Sequence, residues 1–238
     1  FAACLQLRNK IVDAATLRVM GQRLRAACED AGVPLIINDD PALAAACDVA
    51  RPLVLFVGRL APNKRQEDLI KLLYCLRRVA PAARLALVGN PAFAEYVAWQ
   101  RGLAAELGLD ESAVLFAGHV THEEMLTYYR CADVYVSMSE HEGFGKPLIE
   151  SMYCGLPVVA YGSTAVPDTL GDAGILFHEK NYEALAELID LLSHDEALRQ
   201  RVIARQQERV QAFLEPQVRR RLADFLRGLD LLPAEARP

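Results

Sequence analysis

The sequence predicts an α/β fold built on a parallel sheet, and three observations support this class. Short apolar runs alternate with longer amphipathic stretches along most of the 238 residues, which is the pattern of repeated βα units. Most runs are continuously apolar, as expected for strands buried on both faces. Hydrophobic residues make up 53% of the chain, and the mean hydropathy is +0.11, so the chain can bury a substantial core.

Composition and charge exclude several classes of protein. The apolar content excludes disordered, collagen-like and low-complexity chains, and the net charge of -5 argues against nucleic acid as the main partner. No apolar run approaches the ~18 residues that a transmembrane helix needs. The six cysteines are scattered without a C-x-x-C pair, which is typical of reduced thiols. We therefore expect a cytoplasmic protein that is not transmembrane.

The apolar runs give the predicted strands in chain order. The helix predicted after the third run covers Arg65–Val79, because its apolar residues recur every three or four positions. The tail from Asn181 to Leu232 is predicted to be helical throughout. The predicted strands are Cys4–Leu7, Pro34–Ile37, Leu53–Val57, Leu85–Val88, Val114–Phe116, Val134–Met138, Pro157–Ala160 and Gly174–Phe177.

A change of character at Arg51-Pro52 predicts two parts, residues 1–50 and 51–238. The first part holds two βα units and ends in an alanine-rich helical stretch, and no Gly/Ser linker follows it. The first residue is Phe rather than Met, so we expect an excised piece or an incomplete reading frame.

The strongest functional motif lies between Glu140 and Glu150. A predicted strand leads into a loop with Gly143 and Gly145, where the backbone can approach a ligand closely, and Pro147 suits the first turn of the helix that follows. Free N–H groups and the helix dipole then favour an anion such as phosphate. The carboxylates of this motif suit hydroxyl groups better than phosphate, so Glu150 fits a ribose and Glu142 a sugar.

A second loop follows the strand Leu53–Val57. Arg59 and Lys64 lie there, at the carboxyl end of a parallel strand, where open α/β sheets bind ligands. Two cations in this position can neutralise a diphosphate leaving group as charge develops on it.

With these motifs, residues 51 to about 215 resemble the nucleotide-sugar-binding, C-terminal Rossmann-like domain of family 4 retaining glycosyltransferases of the GT-B type. Glu142 and Glu150 match the E-x7-E pair of that family. The motifs that support the resemblance are Gly58-Arg59-Leu60-x3-Lys64, Leu87-Val88-Gly89, Phe116-x-Gly118-His119-Val120, Tyr129-x-x-Ala132-Asp133-Val134, Ser139-x-x-Glu142-Gly-Phe-Gly-x-Pro-x-x-Glu150 and Gly155-x-Pro157-Val158-Val159-Ala160.

The resemblance implies a role for each residue of the site. Arg59 and Lys64 would hold the diphosphate, Glu142 the donor sugar and Glu150 the ribose hydroxyls. The substrate would be a UDP- or GDP-sugar, and no cofactor or metal is expected. The remaining donor-binding residues implied are Gly58, Val120, Gly143, Phe144, Gly145 and Leu148.

Other interpretations of the two glutamates and the nearby histidines are a solvated helix start, a glycosidase pair and a metal site. A Glu-Gly loop followed by a glutamate is, by itself, typical of a solvated helix start. A glycosidase pair is disfavoured, since eight helical residues span ~12 Å, whereas such pairs need about 5–9.5 Å. His119, His122 and His141 lack metal-ligand spacing, and Thr121 is the expected N-cap of the next helix.

The first fifty residues carry polar side chains at the ends of both predicted strands. Gln6, Arg8 and Lys10 alternate, so they share one face. Asn38 and Asp39 follow the next strand, where a carboxylate suits Mg²⁺. The segment resembles the second and third βα units of thiamine phosphate synthase, a TIM barrel, which implies a phosphate site at these five residues. Two strands cannot rebuild a barrel, so we interpret the site as inherited and inactive.

The leading hypothesis is a donor-binding domain of a retaining glycosyltransferase preceded by a βαβα barrel-like fragment. Little or no turnover is expected, because the N-terminal acceptor domain of the family is missing. The alternative is an engineered or recombined chimera of barrel and Rossmann-like fragments with a structural role only. A homodimer is a further expectation, since an apolar face on the helical tail would lack the domain that covers it.

Overall fold

The computed structural model describes residues 5–7, 35–37, 52–229 and 231. Strands and helices alternate through residues 52–194, and the described residues after 194 contain helices but no strand. The strands are β1 (Leu5–Leu7), β2 (Leu35–Ile37), β3 (Leu53–Val57), β4 (Arg84–Val88), β5 (Val114–Gly118), β6 (Val134–Ser137), β7 (Val158–Tyr161) and β8 (Ile175–Phe177). The helices are α1 (Gln66–Val79), α2 (Ala94–Glu106), α3 (His122–Cys131), α4 (Lys146–Tyr153), α5 (Val166–Leu170), α6 (Tyr182–His194), α7 (Glu196–Gln211) and α8 (Glu215–Gly228).

Strands β3 to β8 form one six-stranded sheet in the order β5-β4-β3-β6-β7-β8. Every neighbouring pair is parallel, which confirms the predicted fold class. The chain proceeds outward from β3 through β4 to β5, then returns to place β6 on the other side of β3. This reversal makes the carboxyl ends of β3 and β6 a topological switch point, where open α/β sheets form their ligand crevice.

Helices cover both faces of the sheet, so two apolar layers form its core. Val54 and Phe56 of β3 face the layer that contains α1, α2 and α6. Leu55 and Val57 face the opposite layer with α3, α4, α5 and α7. This alternation follows from the two-residue period of a strand, and it explains why the predicted strands are apolar at every position. Val79 departs from the predicted buried stripe and is 42% exposed, since α1 ends there.

Strands β1 and β2 pair with each other in parallel, with Gln6 opposite Ile36. They form a separate two-stranded sheet and do not join the six-stranded one. Arg8, Lys10, Asn38 and Asp39 lie outside the described residues. The predicted phosphate site at these positions and the boundary at residue 51 therefore stay predictions.

The tail is helical in its described residues, as predicted, and it consists of the three helices α6, α7 and α8. Asp195 ends α6 and caps α7, its carboxylate accepting from the Leu198 N–H at 2.9 Å. Helix α7 is fixed to the sheet by the buried Gln206, which accepts from the Val158 N–H at 2.9 Å and donates to the Leu156 carbonyl at 2.8 Å.

Helix α8 has no buried residue. Three of its four large apolar side chains, Val218, Leu222 and Phe225, are about half exposed or more. This apolar face fits the expectation of a covering partner, but the homodimer stays a prediction. None of the described helices has both the length and the apolar character required to cross a membrane.

Candidate functional site

Glycines end the three strands on one side of the switch point and let their backbones meet closely. The Gly58 N–H donates to the Val88 carbonyl at 2.9 Å, and the Gly89 N–H donates to the Gly118 carbonyl at 2.8 Å. Gly89 has φ +144°, and a Cβ atom there would lie 1.9 Å from the Gly58 carbonyl oxygen. A side chain at position 89 is therefore excluded by backbone contact, a constraint that the sequence motif alone did not explain.

The loop after β3 presents Arg59 and Lys64 at this edge of the sheet. Arg59 is exposed, while its carbonyl oxygen accepts from the Nε2 of the fully buried Gln66 at 2.9 Å. The loop ends in a 3-10 turn at Pro62–Lys64, and Arg65 then adopts a left-handed conformation with φ +54° before α1 begins. The Arg59 backbone is thus anchored in the core, and its guanidinium stays available at the surface.

Lys64 and Glu142 meet across the switch point, as expected of residues that serve one site. The Lys64 Nζ lies 2.6 Å from Glu142 Oε1, and the two side chains are 13% and 16% exposed. The same Nζ donates to the His141 carbonyl at 3.0 Å, and the Glu140 N–H donates to the Asn63 carbonyl at 3.0 Å. The loop after β3 and the loop after β6 are therefore joined by backbone and side-chain contacts.

The loop of residues 139–145, called the 139–145 loop below, ends at the N-terminus of α4. Gly145 has φ +78° and precedes the helix, with Pro147 in its first turn. Gly143 is exposed, and Phe144 is 51% exposed with its ring 5.9 Å from that of Phe213 in an edge-on contact. In its first turn Pro147 has no N–H, and the Leu148 N–H donates to the Gly145 carbonyl at 2.9 Å. The helix dipole still makes this end of α4 suited to an anion.

Leu148 and Val120 differ in their access to the surface. The Leu148 side chain is 2% exposed and belongs to the core beneath Gly145. Val120 is partly buried and follows His119 at the end of β5. A donor contact through either residue stays a prediction. The expected N-cap at Thr121 is confirmed, since its hydroxyl accepts from the Glu124 N–H at 3.3 Å.

Glu150 lies on α4 and contacts Tyr129 of α3. The Tyr129 hydroxyl donates to Glu150 Oε2 at 2.8 Å, and Tyr129 is buried. Burial raises the pKa of the Tyr129 hydroxyl, and the negative charge of Glu150 adds to the shift. Tyr129 thus packs in the core and also provides a hydrogen bond that orients the Glu150 carboxylate.

Tyr135 of β6 is a second buried hydroxyl beneath the carboxylates. Its hydroxyl donates to the Val57 carbonyl at 3.4 Å. Burial raises the pKa of Tyr135, and the charges of Glu142 and Glu150 raise it further. The hydroxyl therefore stays protonated and keeps its role as a donor over the physiological pH range.

A second charged cluster contacts the 139–145 loop through Glu140. The sequence analysis did not predict this cluster. Asp68, almost fully buried on α1, accepts from the Lys180 Nζ at 2.8 Å and from the Tyr182 hydroxyl at 2.9 Å. Lys180 also lies 3.1 Å from Glu140 of the 139–145 loop, and Arg65 lies 3.2 Å from Asp68. The cluster thus connects α1, the 139–145 loop and the start of α6, segments too distant in sequence to form a motif.

Hydrogen bonds govern the titration of this cluster. Burial by itself would raise the pKa of Asp68, but hydrogen bonds from Lys180, Tyr182 and Arg65 outweigh it and lower the pKa. Burial and the bond to Asp68 raise the pKa of Tyr182 to about 12. Within residues 5–7, 35–37, 52–229 and 231, no group of three or more His, Cys, Asp or Glu is arranged to hold a metal ion.

Solved structures with the same architecture include HepE and a sucrose-phosphate synthase. Anabaena HepE, crystallised with UDP and glucose, superposes with a TM-score of 0.66 at 22% identity, over 94% of this chain and 71% of that one. Sucrose-phosphate synthase from Thermosynechococcus elongatus superposes with a TM-score of 0.65 at 26% identity, over 91% of this chain and 62% of that one.

Curated relatives include two bacterial mannosyltransferases. O-antigen chain mannosyltransferase B of Escherichia coli is 31% identical over 63% of this chain. The GDP-mannose-dependent alpha-(1-6)-phosphatidylinositol monomannoside mannosyltransferase of Mycolicibacterium smegmatis is 34% identical over 60% of this chain. The match spans only 39% of the length of each of these relatives.

Two family models match different parts of the chain. Residues 1–51 match thiamine monophosphate synthase, in agreement with the resemblance found in the sequence. Residues 46–209 match glycosyl transferases group 1, and this segment contains β3 to β8 together with Arg59, Lys64, Glu142 and Glu150. By this match over most of its length, the chain belongs to the group 1 glycosyl transferases.

Proposed function

We propose that residues 52–229 bind the nucleoside-diphosphate sugar that serves as donor in a glycosyl transfer reaction. The observation that carries the proposal is the pairing of Lys64 with Glu142, 2.6 Å apart, at the switch point of a parallel sheet. A cation for phosphate and a carboxylate for sugar hydroxyls then lie side by side, as the adjoining diphosphate and sugar of one ligand require. The UDP and glucose bound by HepE and the GDP-mannose used by the mycobacterial relative support this class of ligand.

Different residues bind the diphosphate and the sugar of the donor. Lys64 and the exposed Arg59 bind the diphosphate, and the N-terminus of α4 with the amides of Gly143, Phe144 and Gly145 adds donors without charge. Glu142 accepts hydrogen bonds from hydroxyls of the sugar.

The nucleoside side of the donor is bound by a separate set of residues. Glu150 accepts from the ribose hydroxyls, with its direction set by Tyr129. Gly58 allows close approach of the backbone, and Val120 lines the nucleoside side. The buried Leu148 contributes by packing beneath Gly145.

The catalytic contribution of residues 52–229 is stabilisation of the leaving group. During transfer, the bond between the anomeric carbon and the diphosphate oxygen breaks, and its electron pair stays on the diphosphate. The oxygen of an acceptor hydroxyl forms the new bond on the same face, and its proton passes to the departing diphosphate. Lys64 and Arg59 counter the charge that grows on the diphosphate, a contribution that exists chiefly in the transition state.

Transfer by this chain alone is proposed to be slow. The matched segment corresponds to 39% of the length of each of the two mannosyltransferases. Residues in the remaining part of those proteins, including any that bind the acceptor, have no counterpart in the alignment. Donor binding, which needs only the edge of one sheet, is the activity expected to be strongest.

Calorimetric titration of the full chain with UDP, GDP, UDP-glucose and GDP-mannose tests the proposal. At least one nucleotide should bind, and Arg59→Ala and Glu150→Ala should each weaken it by about tenfold or more. Arg219→Ala, which removes an exposed α8 arginine paired with Glu215, is the control and should leave affinity unchanged. Absence of binding by all four ligands would overturn the proposal.

A further inference from the structure

The 139–145 loop is held by hydroxyl side chains from one neighbouring segment, residues 163–169 after β7. The Ser163 hydroxyl donates to the Ser139 carbonyl at 2.6 Å, and the Thr169 hydroxyl donates to the Phe144 carbonyl at 2.5 Å. Between them, Thr164 contacts the backbone of Glu142. These contacts fix the loop backbone at Ser139, Glu142 and Phe144, and they come from a segment that the sequence motifs did not include.

Thr164 contacts both polar backbone groups of Glu142. Its Oγ1 accepts from the Glu142 N–H at 2.8 Å and donates to the Glu142 carbonyl oxygen at 2.9 Å. A hydroxyl offers one donor and two acceptor positions, so both contacts are compatible with one orientation of the side chain. Because the N–H and carbonyl of one residue are both fixed, the direction in which its side chain leaves the backbone is fixed as well.

The backbone of Thr164 is strained. Its φ is +46°, a left-handed conformation that is a genuine outlier for a β-branched residue. Strained residues persist where surrounding contacts over-determine them, and they cluster at functional sites. Thr164 is also exposed, so burial of its side chain does not explain why the conformation is kept.

We infer that Thr164 is a positioning residue that directs the Glu142 carboxylate toward the sugar of the donor. It acts through the Glu142 backbone and does not itself need to touch the ligand. Because Glu142 is assigned to the sugar and Lys64 to the diphosphate, loss of this contact should weaken binding of the sugar part selectively. This selectivity rests on the donor site proposed above.

The test compares Thr164→Val with the parent chain by calorimetry, using UDP and GDP against UDP-glucose and GDP-mannose. Valine keeps the β-branched shape and replaces the hydroxyl by a methyl group, which can neither donate nor accept a hydrogen bond. We expect about threefold to tenfold weaker binding of the nucleotide sugar, with affinity for the matching free nucleotide unchanged. Thr164→Ser, which retains the hydroxyl, should restore the parent affinity.

A matched control and a coupled variant separate positioning from general stability. Thr127→Val makes the same change in α3, where the Thr127 hydroxyl donates to the Glu123 carbonyl at 3.1 Å, and it should bind every ligand as the parent does. In a Glu142→Ala background, Thr164→Val should cause no additional loss, since its effect passes through Glu142.

The outcomes distinguish the two levels of inference. If the parent binds nucleotide sugar but Thr164→Val weakens sugar and free nucleotide equally, or neither, the role of Thr164 is refuted while the donor site stands. If Thr164→Val does not fold, Thr164→Ser should still bind as the parent does, and a sugar-selective loss there would refute the role of the hydroxyl. If the parent binds no nucleotide, the donor site and the role of Thr164 are both refuted.

Discussion

The Lys64 ammonium lies 2.6 Å from a carboxylate oxygen of Glu142 and joins the loops that follow β3 and β6. Both groups are mostly withdrawn from solvent, so screening weakens their attraction less than at a fully exposed pair. A diphosphate that takes Lys64 as a partner must compete with Glu142, while a sugar hydroxyl can donate to the carboxylate that is released. Donor binding is thus expected to exchange this ion pair for contacts to two parts of one ligand.

Removal of the Lys64 ammonium should weaken nucleotide binding. Lys64→Ala is expected to lower affinity for UDP or GDP by about tenfold to a hundredfold, because a hydrogen bond to a charged group contributes about 1.5–3 kcal/mol. Calorimetry measures this change directly. Lys71→Ala is the matched control, since Lys71 is more exposed and lies 3.7 Å from Asp68. Equal affinities for Lys64→Ala and the parent would contradict the assignment of Lys64.

Loss of the Tyr129 hydroxyl should weaken binding of the ribose of the nucleotide, because it removes a hydrogen bond to Glu150. Tyr129→Phe keeps the buried ring but leaves Glu150 without its donor, so the free energy of unfolding should fall by about 1 kcal/mol. UDP or GDP should bind more weakly to Tyr129→Phe than to the parent. The loss of affinity should be smaller for the 2′,3′-dideoxy form of the same nucleotide, which lacks the ribose hydroxyls. Tyr74→Phe on the exposed face of α1 controls for the change of residue. A loss of the same size for both nucleotides would show that Tyr129 does not act through Glu150.

The protein is expected to lose stability at acid pH as Asp68 becomes protonated. Its pKa is lowered in the folded state, with Lys180, Tyr182 and Arg65 as hydrogen-bond donors and Lys71 and Glu140 in the same cluster. The contribution of Asp68 is complete above the ordinary aspartate pKa of about 3.9. It declines below that pH and is gone once the pH falls below the lowered pKa of the folded state.

Urea unfolding of the parent and of Asp68→Asn between pH 7 and pH 2.5 measures this contribution. At pH 7 the variant should be less stable by about 2 kcal/mol, as expected for hydrogen bonds to a charged group. The difference between the two proteins should shrink as the pH falls. A difference that stays constant across the range would mean that Asp68 does not titrate with folding in this way.

Two glycines should respond to alanine in opposite directions. Gly89→Ala places a Cβ 1.9 Å from the Gly58 carbonyl oxygen, so it should cost at least about 2 kcal/mol and separate the ends of β3 and β4. Gly102 lies within α2 with no atom within 4 Å of such a Cβ. Gly102→Ala should therefore stabilise the fold by about 0.5–1 kcal/mol. Chemical denaturation measures both, and a Gly89→Ala protein as stable as the parent would contradict the close approach.

The sequence predicts what depends on local pattern. Continuous apolar runs gave the positions of β3 to β8, since strands covered on both faces need apolar side chains at every position. The Glu140–Glu150 motif gave the loop and the start of α4, and Thr121 gave a cap, because glycine, proline and threonine act on their immediate neighbours.

Contacts between distant segments escaped sequence reasoning. Thr164 meets Glu142, and Asp68 meets Lys180, only after the sheet has assembled, and no spacing rule connects either pair. Val79 fits a helical stripe but lies at the end of α1, where no further layer covers it. The resemblance assigned Lys64 and Glu142 to different parts of one donor, while their direct ion pair is seen only in the folded structure.

A crystal structure of the chain soaked with UDP and with GDP tests the central claim most directly. We expect diphosphate oxygens within hydrogen-bond distance of Lys64 Nζ and the Arg59 guanidinium, and ribose hydroxyls at Glu150. The separation of Lys64 from Glu142 should lengthen beyond 2.6 Å as Lys64 turns toward phosphate. A nucleotide bound elsewhere, with the ion pair of Lys64 and Glu142 unchanged, would contradict the assignment of this edge of the sheet as the donor site.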